Sequence, residues 1–232
     1  MNKKILVVED ENSILELIRF NLSKEGYNIS TALDGEEAVT KISKDKPDLI
    51  VLDLMLPKLD GIEVCKRIRE NHGYNVYIIM LTAKGEEIDK IVGLEVGADD
   101  YMTKPFSPKE LSVRIKAAFR RLDYKMSNSN YLVNGDFEID KEQYSCRYKG
   151  KRLSLTPKQF TLLTYLVENE EKVCSREELL SKVWGYDYLG DSRTVDVHVR
   201  QIRQVLLKET DGEEPIPIKT LRGVGYSYKR SK

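Results

Sequence analysis

Five residues in the first half of the chain carry side chains suited to one piece of chemistry: Glu9, Asp10, Asp53, Thr82 and Lys104. Three carboxylates brought together repel one another unless a cation joins them. Oxygen-only ligands favour a hard cation such as Mg2+. A carboxylate is a weak nucleophile, yet it can attack phosphorus. Phosphoryl transfer needs the charge on three oxygens to be neutralised and held in line. In such a site the cation takes one oxygen, the Lys104 ammonium another and the Thr82 hydroxyl the third. Taken singly, each residue has an ordinary reading. Acids that follow strands are often solvated loop residues, a threonine often ends a strand, and a lysine is usually a surface charge. Joint placement at successive strand ends is what favours a site.

The surrounding sequence predicts that placement. Ile5-Leu-Val-Val8, Leu49-Ile-Val-Leu52 and Val76-Tyr-Ile-Ile-Met-Leu81 are continuous apolar runs. Such runs suit strands buried on both faces of a parallel sheet. Between them, Ile14, Leu17, Ile18 and Leu22 recur at helical spacing, as do Ile62, Cys65 and Ile68. The alternation predicts a doubly wound α/β domain. Its five strands lie near 4–9, 27–32, 48–53, 76–82 and 99–103, and its last helix runs from about 107 to 121. In an open parallel sheet the ligand crevice lies at the carboxyl ends of the strands, where the order reverses. Order 2-1-3-4-5 puts Glu9, Asp10 and Asp53 at that point, with Thr82 and Lys104 facing the same crevice.

These motifs resemble a response-regulator receiver domain. The resemblance rests on Glu9-Asp10, on Asp53 in Val-Leu-Asp-Leu-Met-Leu-Pro-Lys-Leu-Asp-Gly, on Leu-Thr82-Ala-Lys, and on Gly-Ala-Asp-Asp-Tyr-Met-Thr-Lys104-Pro-Phe. It covers about 3–121. It implies that Asp53 accepts a phosphoryl group from the phosphohistidine of a sensor histidine kinase. It further implies that Glu9, Asp10, Asp53 and the backbone carbonyl of Met55 hold Mg2+, that Thr82 and Lys104 bind the new phosphoryl group, and that Tyr101 is an aromatic switch. By the same resemblance the domain is not an ordinary enzyme; it assists its own Mg2+-dependent phosphotransfer and dephosphorylation. The charges punctuating 86–117 read, on pattern alone, as a solvated face. The resemblance to the OmpR/PhoB family implies instead a face on which two receivers dimerise once phosphorylated. Its cross-dimer pairs would be Lys90–Glu110, Glu95–Lys116 and Asp100–Arg114, with Leu94 and Val113 between them.

The second half reads strands, then helices, then a hairpin. The polar stretch 123–130 is expected to be a linker between a domain at 1–122 and another at 131–232. Short strand-like pieces fill 131–155. Thr156-Pro-Lys-Gln159 predicts a capped helix start, as does Ser175-Arg-Glu-Glu178. A third helix is expected over about 192–208, with Val195, Val199, Ile202 and Leu206 as its core stripe. Thr194, Val197, Gln201 and Gln204 form a second stripe, flanked by Arg193, Arg200 and Arg203. Amides, small apolar groups and guanidiniums on one helix suit a DNA major groove. His198 suits a core edge or a phosphate contact equally. Ile216–Leu221 and Tyr226–Tyr228 flank Arg222-Gly-Val-Gly225 and predict a hairpin. Its Arg222 could enter a minor groove and its Thr220 could bond a phosphate; a merely solvated turn is the ordinary alternative.

Together these motifs resemble the α+β winged helix-turn-helix of the same OmpR/PhoB family over about 130–230. The fold implied is an N-terminal four-stranded sheet, three helices and a C-terminal hairpin. The family places 192–208 as the recognition helix and 185–191 as the loop that contacts RNA polymerase or a neighbouring subunit. Trp184, Arg193, His198, Arg200 and Arg203 match positions that contact the DNA backbone. Gln201 stands where some relatives carry a base-reading arginine. The expected target is double-stranded DNA with tandem half-sites, and the regulators most resembled are of the phosphate-starvation and cell-envelope kinds.

Composition bounds the remaining readings. The chain has 232 residues with 38 basic and 38 acidic side chains, so a uniformly basic coat is excluded while a local basic face is not. The last stretch, 216–232, holds Lys219, Arg222, Lys229, Arg230 and Lys232 with no acid. No apolar run reaches the ~18 residues of a membrane span, and a cytoplasmic location is expected without membrane association. Three scattered cysteines and no Cys-x-x-Cys support neither a disulfide framework nor a zinc site. A phosphoaspartyl phosphatase would want a second acid two residues after Asp53, where Met55 stands. A phosphorylation-independent DNA binder is the other rival, recognisable by constant DNA affinity with and without phosphorylation.

Overall fold

The computed structural model describes residues 3–70, 76–83, 96–122, 131–186, 188, 191–210 and 216–230. The chain divides into two compact units, Met1–Ala118 and Phe119–Lys232. The division falls four residues before the boundary expected at 122, inside a helix. The expected linker 123–130 lies outside the described residues, as do Lys90, Leu94 and Glu95.

The first unit is a five-stranded parallel sheet in the order β2-β1-β3-β4-β5. The strands are β1 (Lys4–Val8), β2 (Asn28–Ala32), β3 (Leu49–Asp53), β4 (Tyr77–Ala83) and β5 (Asp100–Lys104). Helices α1 (Asn12–Lys24), α2 (Gly35–Asp45), α3 (Gly61–Glu70) and α4 (Pro108–Leu122) accompany them. The apolar runs of β1 and β3 are buried on both faces, as continuous runs in a covered parallel sheet must be. Helix α1 departs slightly from its expected stripe. Leu15, Ile18 and Leu22 are buried, whereas Leu17 is exposed. Its buried side is therefore rotated by one residue from the expected stripe. A buried ion pair, Arg69 Nη2 to Asp99 Oδ2 at 2.8 Å, ties α3 to the approach of β5. The same Asp99 oxygen accepts from the Ile78 N–H at 3.0 Å.

The second unit begins with an antiparallel sheet of β6 (Tyr131–Asn134), β7 (Phe137–Asp140), β8 (Ser145–Tyr148) and β9 (Lys151–Arg152). Three helices follow: α5 (Pro157–Glu168), α6 (Arg176–Val183) and α7 (Arg193–Glu209). Helix α5 starts with the expected reciprocal cap, Thr156 to the Gln159 N–H and Gln159 back to the Thr156 N–H. At α6 Ser175 caps the Glu178 N–H, but the Glu178 carboxylate accepts from Tyr165 and Lys172. The hairpin of β11 (Ile218–Leu221) and β12 (Gly225–Tyr228) gains a third strand, β10 (Cys174–Ser175), beside β12. A Cβ at Gly225 would lie 2.0 Å from the Cys174 carbonyl oxygen, so only glycine permits that pairing. Val195, Val199, Ile202 and Leu206 are buried in the core of this unit with Phe137, Leu166 and Tyr228.

Candidate functional site

The sheet order makes β1 and β3 neighbours at the reversal of chain order, so the residues that follow them meet in one crevice. Glu9 and Asp10 follow β1 and Asp53 ends β3. Carboxylate oxygens of all three lie within 4.8 Å of one another. Glu9 and Asp53 are buried and Asp10 is exposed, which gives the cluster a floor and an open side. Lys104, at the end of β5, reaches across. Its Nζ lies 2.7 Å from Glu9 Oε2 and 2.9 Å from Asp53 Oδ2. Thr82 is buried near the end of β4, opposite Thr103. Half-buried Tyr101 lies on β5 opposite Met80.

Electrostatics follow from burial. Burial pushes the Glu9 carboxyl above its usual range, outweighing the hydrogen bond from Lys104, and the charge of Asp53 adds to the rise. Burial pulls the Lys104 ammonium down, but its hydrogen bonds to Glu9 and Asp53 more than compensate and leave it raised. One ammonium thus serves two buried acids, and Asp10 adds a third negative charge at the mouth. This oxygen-only, under-neutralised donor set suits a hard divalent cation.

The loop after Asp53 is held tightly. A Cβ at Gly61 would meet the Asp53 carbonyl oxygen at 2.1 Å, and the Gly61 N–H donates to the Leu54 carbonyl at 3.0 Å. Lys58 takes the left-handed conformation, φ 65°, and its Nζ bonds Asp34 Oδ2 at 2.5 Å. Asp34 is also the N-cap of α2, accepting from the Glu37 N–H at 2.8 Å. Asp34 and Lys58 carry no sequence signal that separates them from ordinary loop charges. Met55 is exposed at the start of this loop.

On the 86–117 face, Asp100, Glu110, Val113, Arg114 and Lys116 are described. Arg114 is buried and paired within the chain, Nη1 to Asp100 Oδ1 at 3.1 Å and Nη2 to Glu110 Oε1 at 2.9 Å. Lys116 bonds Glu25 at 2.8 Å. Val113 is exposed.

In the second unit, α7 presents a different outer face from the expected one. Arg193, Arg200 and Gln204 are exposed, with Val197 and Arg203 beside them at intermediate burial. Thr194, His198 and Gln201 are buried, and so is Trp184. Thr194 and Gln201, expected on the outward stripe, thus lie on the inner side of α7, and His198 and Trp184, expected at the DNA backbone, are buried beside it. The cause is packing on two sides: α7 lies against both α5 and α6, so its buried arc is wider than the four-residue stripe. Gln201 Oε1 accepts from Gln159 Nε2 at 3.0 Å, across to the capped start of α5. His198 Nδ1 lies 2.9 Å from the Thr194 carbonyl oxygen, and its ring meets the Trp184 ring edge-on at 4.9 Å. Of the two readings of His198, the structure has the core edge.

A polar network absent from the sequence reading joins the helices to the hairpin. Asp196 Oδ1 accepts from Arg176 Nε at 2.8 Å and from the Tyr226 hydroxyl at 2.6 Å. Burial and that bond push the Tyr226 phenol up to about 12. Arg203 Nη2 donates to the Ile218 carbonyl at 3.0 Å and to Thr220 Oγ1 at 2.7 Å. The turn residues Arg222, Gly223 and Val224 are exposed, and Gly223 has φ 72°. An acid inside the basic stretch Arg193–Arg203 was the available signal for Asp196, and a weak one.

Comparison with known proteins agrees with both halves. Residues 5–116 match the response regulator receiver domain family, and residues 150–228 match the family of transcriptional regulatory protein C-terminal domains. The alkaline phosphatase synthesis transcriptional regulatory protein PhoP of Bacillus subtilis (strain 168) is 51% identical over 240 residues, covering 100% of this chain and 99% of its own. A solved cysteine-to-serine mutant of RitR superposes with TM-score 0.80 at 26% identity, over 99% of this chain and 100% of its own. DrrB of Thermotoga maritima, an OmpR/PhoB homologue, superposes with TM-score 0.51 at 35% identity over the same shares. Among the described residues no helix is long and apolar enough to cross a membrane. A receiver fold, a DNA-binding fold and identity along the whole chain make this protein a member of the OmpR/PhoB family, a two-component response regulator and transcription factor.

Proposed function

We propose that Asp53 accepts a phosphoryl group from the phosphohistidine of a partner sensor histidine kinase. The observation that carries this is the Asp53 carboxylate, buried at a strand end and held 2.9 Å from Lys104 beside two further acids. An Asp53 oxygen attacks phosphorus, the O–P bond forms, and the N–P bond breaks with its electron pair returning to the imidazole. Glu9, Asp10, Asp53 and the Met55 carbonyl would hold Mg2+, which would supply charge neutralisation for the phosphoryl oxygens. Lys104 moves from the free carboxylate to a phosphoryl oxygen, and the Thr82 hydroxyl donates to another. Tyr101 follows Thr82 inward. The same groups, with water as nucleophile, return the carboxylate.

The phosphorylated receiver forms a homodimer through the 86–117 face. Val113 and Leu94 supply apolar contact, and Lys90–Glu110, Glu95–Lys116 and Asp100–Arg114 set register. Arg114 and Asp100 already pair within the chain, so a crossed pairing exchanges one partner for another and contributes specificity more than affinity. Dimerisation seats two winged helices on tandem half-sites of double-stranded DNA, which raises affinity through effective concentration. The exposed Arg193, Arg200 and Gln204, with half-buried Val197 beside them, face the major groove, Arg222 the adjacent minor groove, and 185–191 RNA polymerase. Likeness to a relative named for alkaline phosphatase synthesis favours a target gene of that kind.

The test is intact mass and sedimentation after incubation with a small phosphodonor and Mg2+. One added phosphoryl group on the wild type and none on Asp53→Ala, with a monomer-to-dimer shift, is the expected result. A beryllofluoride complex that binds but leaves the protein monomeric with unchanged DNA affinity would rule the switch out.

A further inference from the structure

The wing and the recognition helix are joined at two places, and both lead to one rung of the hairpin. Asp196 and Arg203 lie seven residues apart on α7, two turns along one side of the helix. In the hairpin, Thr220 of β11 pairs with Tyr226 of β12, which pairs in turn with Cys174 of β10. Asp196 takes the Tyr226 hydroxyl at 2.6 Å. Arg203 grips Thr220 Oγ1 at 2.7 Å and the Ile218 carbonyl at 3.0 Å, with its guanidinium 5.7 Å from the centre of the Tyr226 ring. Arg176, at the start of α6, completes the joint through Asp196 at 2.8 Å. Ile218, Tyr226 and Tyr228 also pack in one core with Val199, Ile202 and Leu206, and the two polar attachments add a fixed angle to that packing. The hairpin has only the two-residue β10 as a third strand, and so small a sheet takes its orientation from what it docks on. Arg222 stands at the exposed turn, two residues beyond Thr220.

We propose that Asp196, Arg203 and Thr220 are positioning residues that set the wing at a fixed height and angle relative to the recognition helix, so that Arg222 and α7 meet one DNA duplex together. This rests on the DNA-binding reading above and deepens it. Arg203 and Thr220 then act on affinity through Arg222, rather than as separate contacts to phosphate. The gain comes from pre-organisation: a wing already held in its bound orientation loses less freedom when Arg222 binds. Tyr226 serves as the shared post, because its ring faces Arg203 and its hydroxyl ends on Asp196.

A double-variant cycle in the full chain separates the two possibilities. The probe is a duplex selected by the wild-type chain from a randomised library, and affinity is measured across salt concentrations. Thr220→Val keeps size and strand preference while removing the acceptor. It is expected to weaken binding about two- to tenfold, the range of one hydrogen bond. It should erase protection of the wing's minor-groove tract while the major-groove footprint persists. In an Arg222→Ala background it should cost nothing further, and Arg203→Met in that background should leave the salt slope unchanged. Tyr226→Phe, which keeps the ring and loses the bond to Asp196, should follow the same pattern. Additive losses, or a salt slope shallower by about one phosphate contact for Arg203→Met in that background, would overturn the proposal in favour of direct contacts. A wild-type chain that selects no duplex would instead remove the DNA-binding reading itself.

Discussion

The two working surfaces of this protein are built in opposite ways. The receiver crevice collects its groups at the ends of strands, and Glu9, Asp53 and Thr82 are buried where the backbone stops. Its side chains have little choice of direction, since strand order alone brings β1, β3, β4 and β5 side by side. The recognition surface is one side of a cylinder. Residues of α7 point in every direction, and the neighbours α5, α6 and the hairpin decide which of them face solvent. Polar residues therefore mean different things in the two places. In the crevice the buried acids share one ammonium, whereas on α7 the buried Gln201 and His198 are parts of the packing. A topological site is robust to small shifts of its elements, and a helical face changes with a rotation of one residue.

The comparison can be broken at several levels. The largest effect is expected from Asp53→Ala, which should abolish phosphoryl uptake by intact mass. The same variant should melt no lower than wild type, because it removes one of three crowded acids. Ile202→Ala, at the buried centre of α7, should destabilise the second unit by ~2–5 kcal/mol while leaving Asp53 phosphorylation intact. Loss of phosphoryl uptake in that variant would mean that the two units do not work separately. Next, Lys104→Ala leaves the acids without their ammonium, so Mg2+ affinity by calorimetry should rise at least about tenfold, since the positive charge paired with Glu9 and Asp53 has gone. Weaker Mg2+ binding would show that Lys104 organises the ligands rather than competes with the cation.

The smallest and most discriminating effects come from adjacent residues of α7. Arg200→Ala should weaken DNA binding and make the salt slope shallower by about 0.9, one phosphate contact, with an unchanged melting temperature. Gln201→Ala strands the Gln159 amide and should cost about 1–3 kcal/mol of stability with the salt slope unaltered. If the two variants behaved alike, α7 would be rotated in the DNA-bound protein relative to the structure described.

Much of this was legible before any coordinates. The continuous runs Ile5–Val8 and Leu49–Leu52 implied strands covered on both faces, and alternation with helices implied a doubly wound parallel sheet, for which 2-1-3-4-5 is one of the common orders. From that order the meeting of Glu9, Asp10, Asp53 and Lys104 followed without knowledge of a single distance. Thr156-Pro-Lys-Gln159 marked its helix start to the residue, because a capping box is a local chemical arrangement. Strand β10 leaves no trace in the sequence because two residues carry no periodicity, and Leu17 faces solvent although helical spacing alone groups it with Ile18 and Leu22.

What the sequence determined by itself was therefore what local chemistry and chain order dictate: the strands, the capped helices, and the acids at strand ends. What the tertiary structure decided was partnership. It turned Thr194, His198 and Gln201 inward, paired Arg114 with Asp100 within the chain, and tied Asp196 and Arg203 to the wing. The reason is physical. A helical stripe reports that one side is buried but not how wide that side is, and the partner of a polar side chain depends on elements distant in sequence that only the packed fold brings within hydrogen-bonding reach.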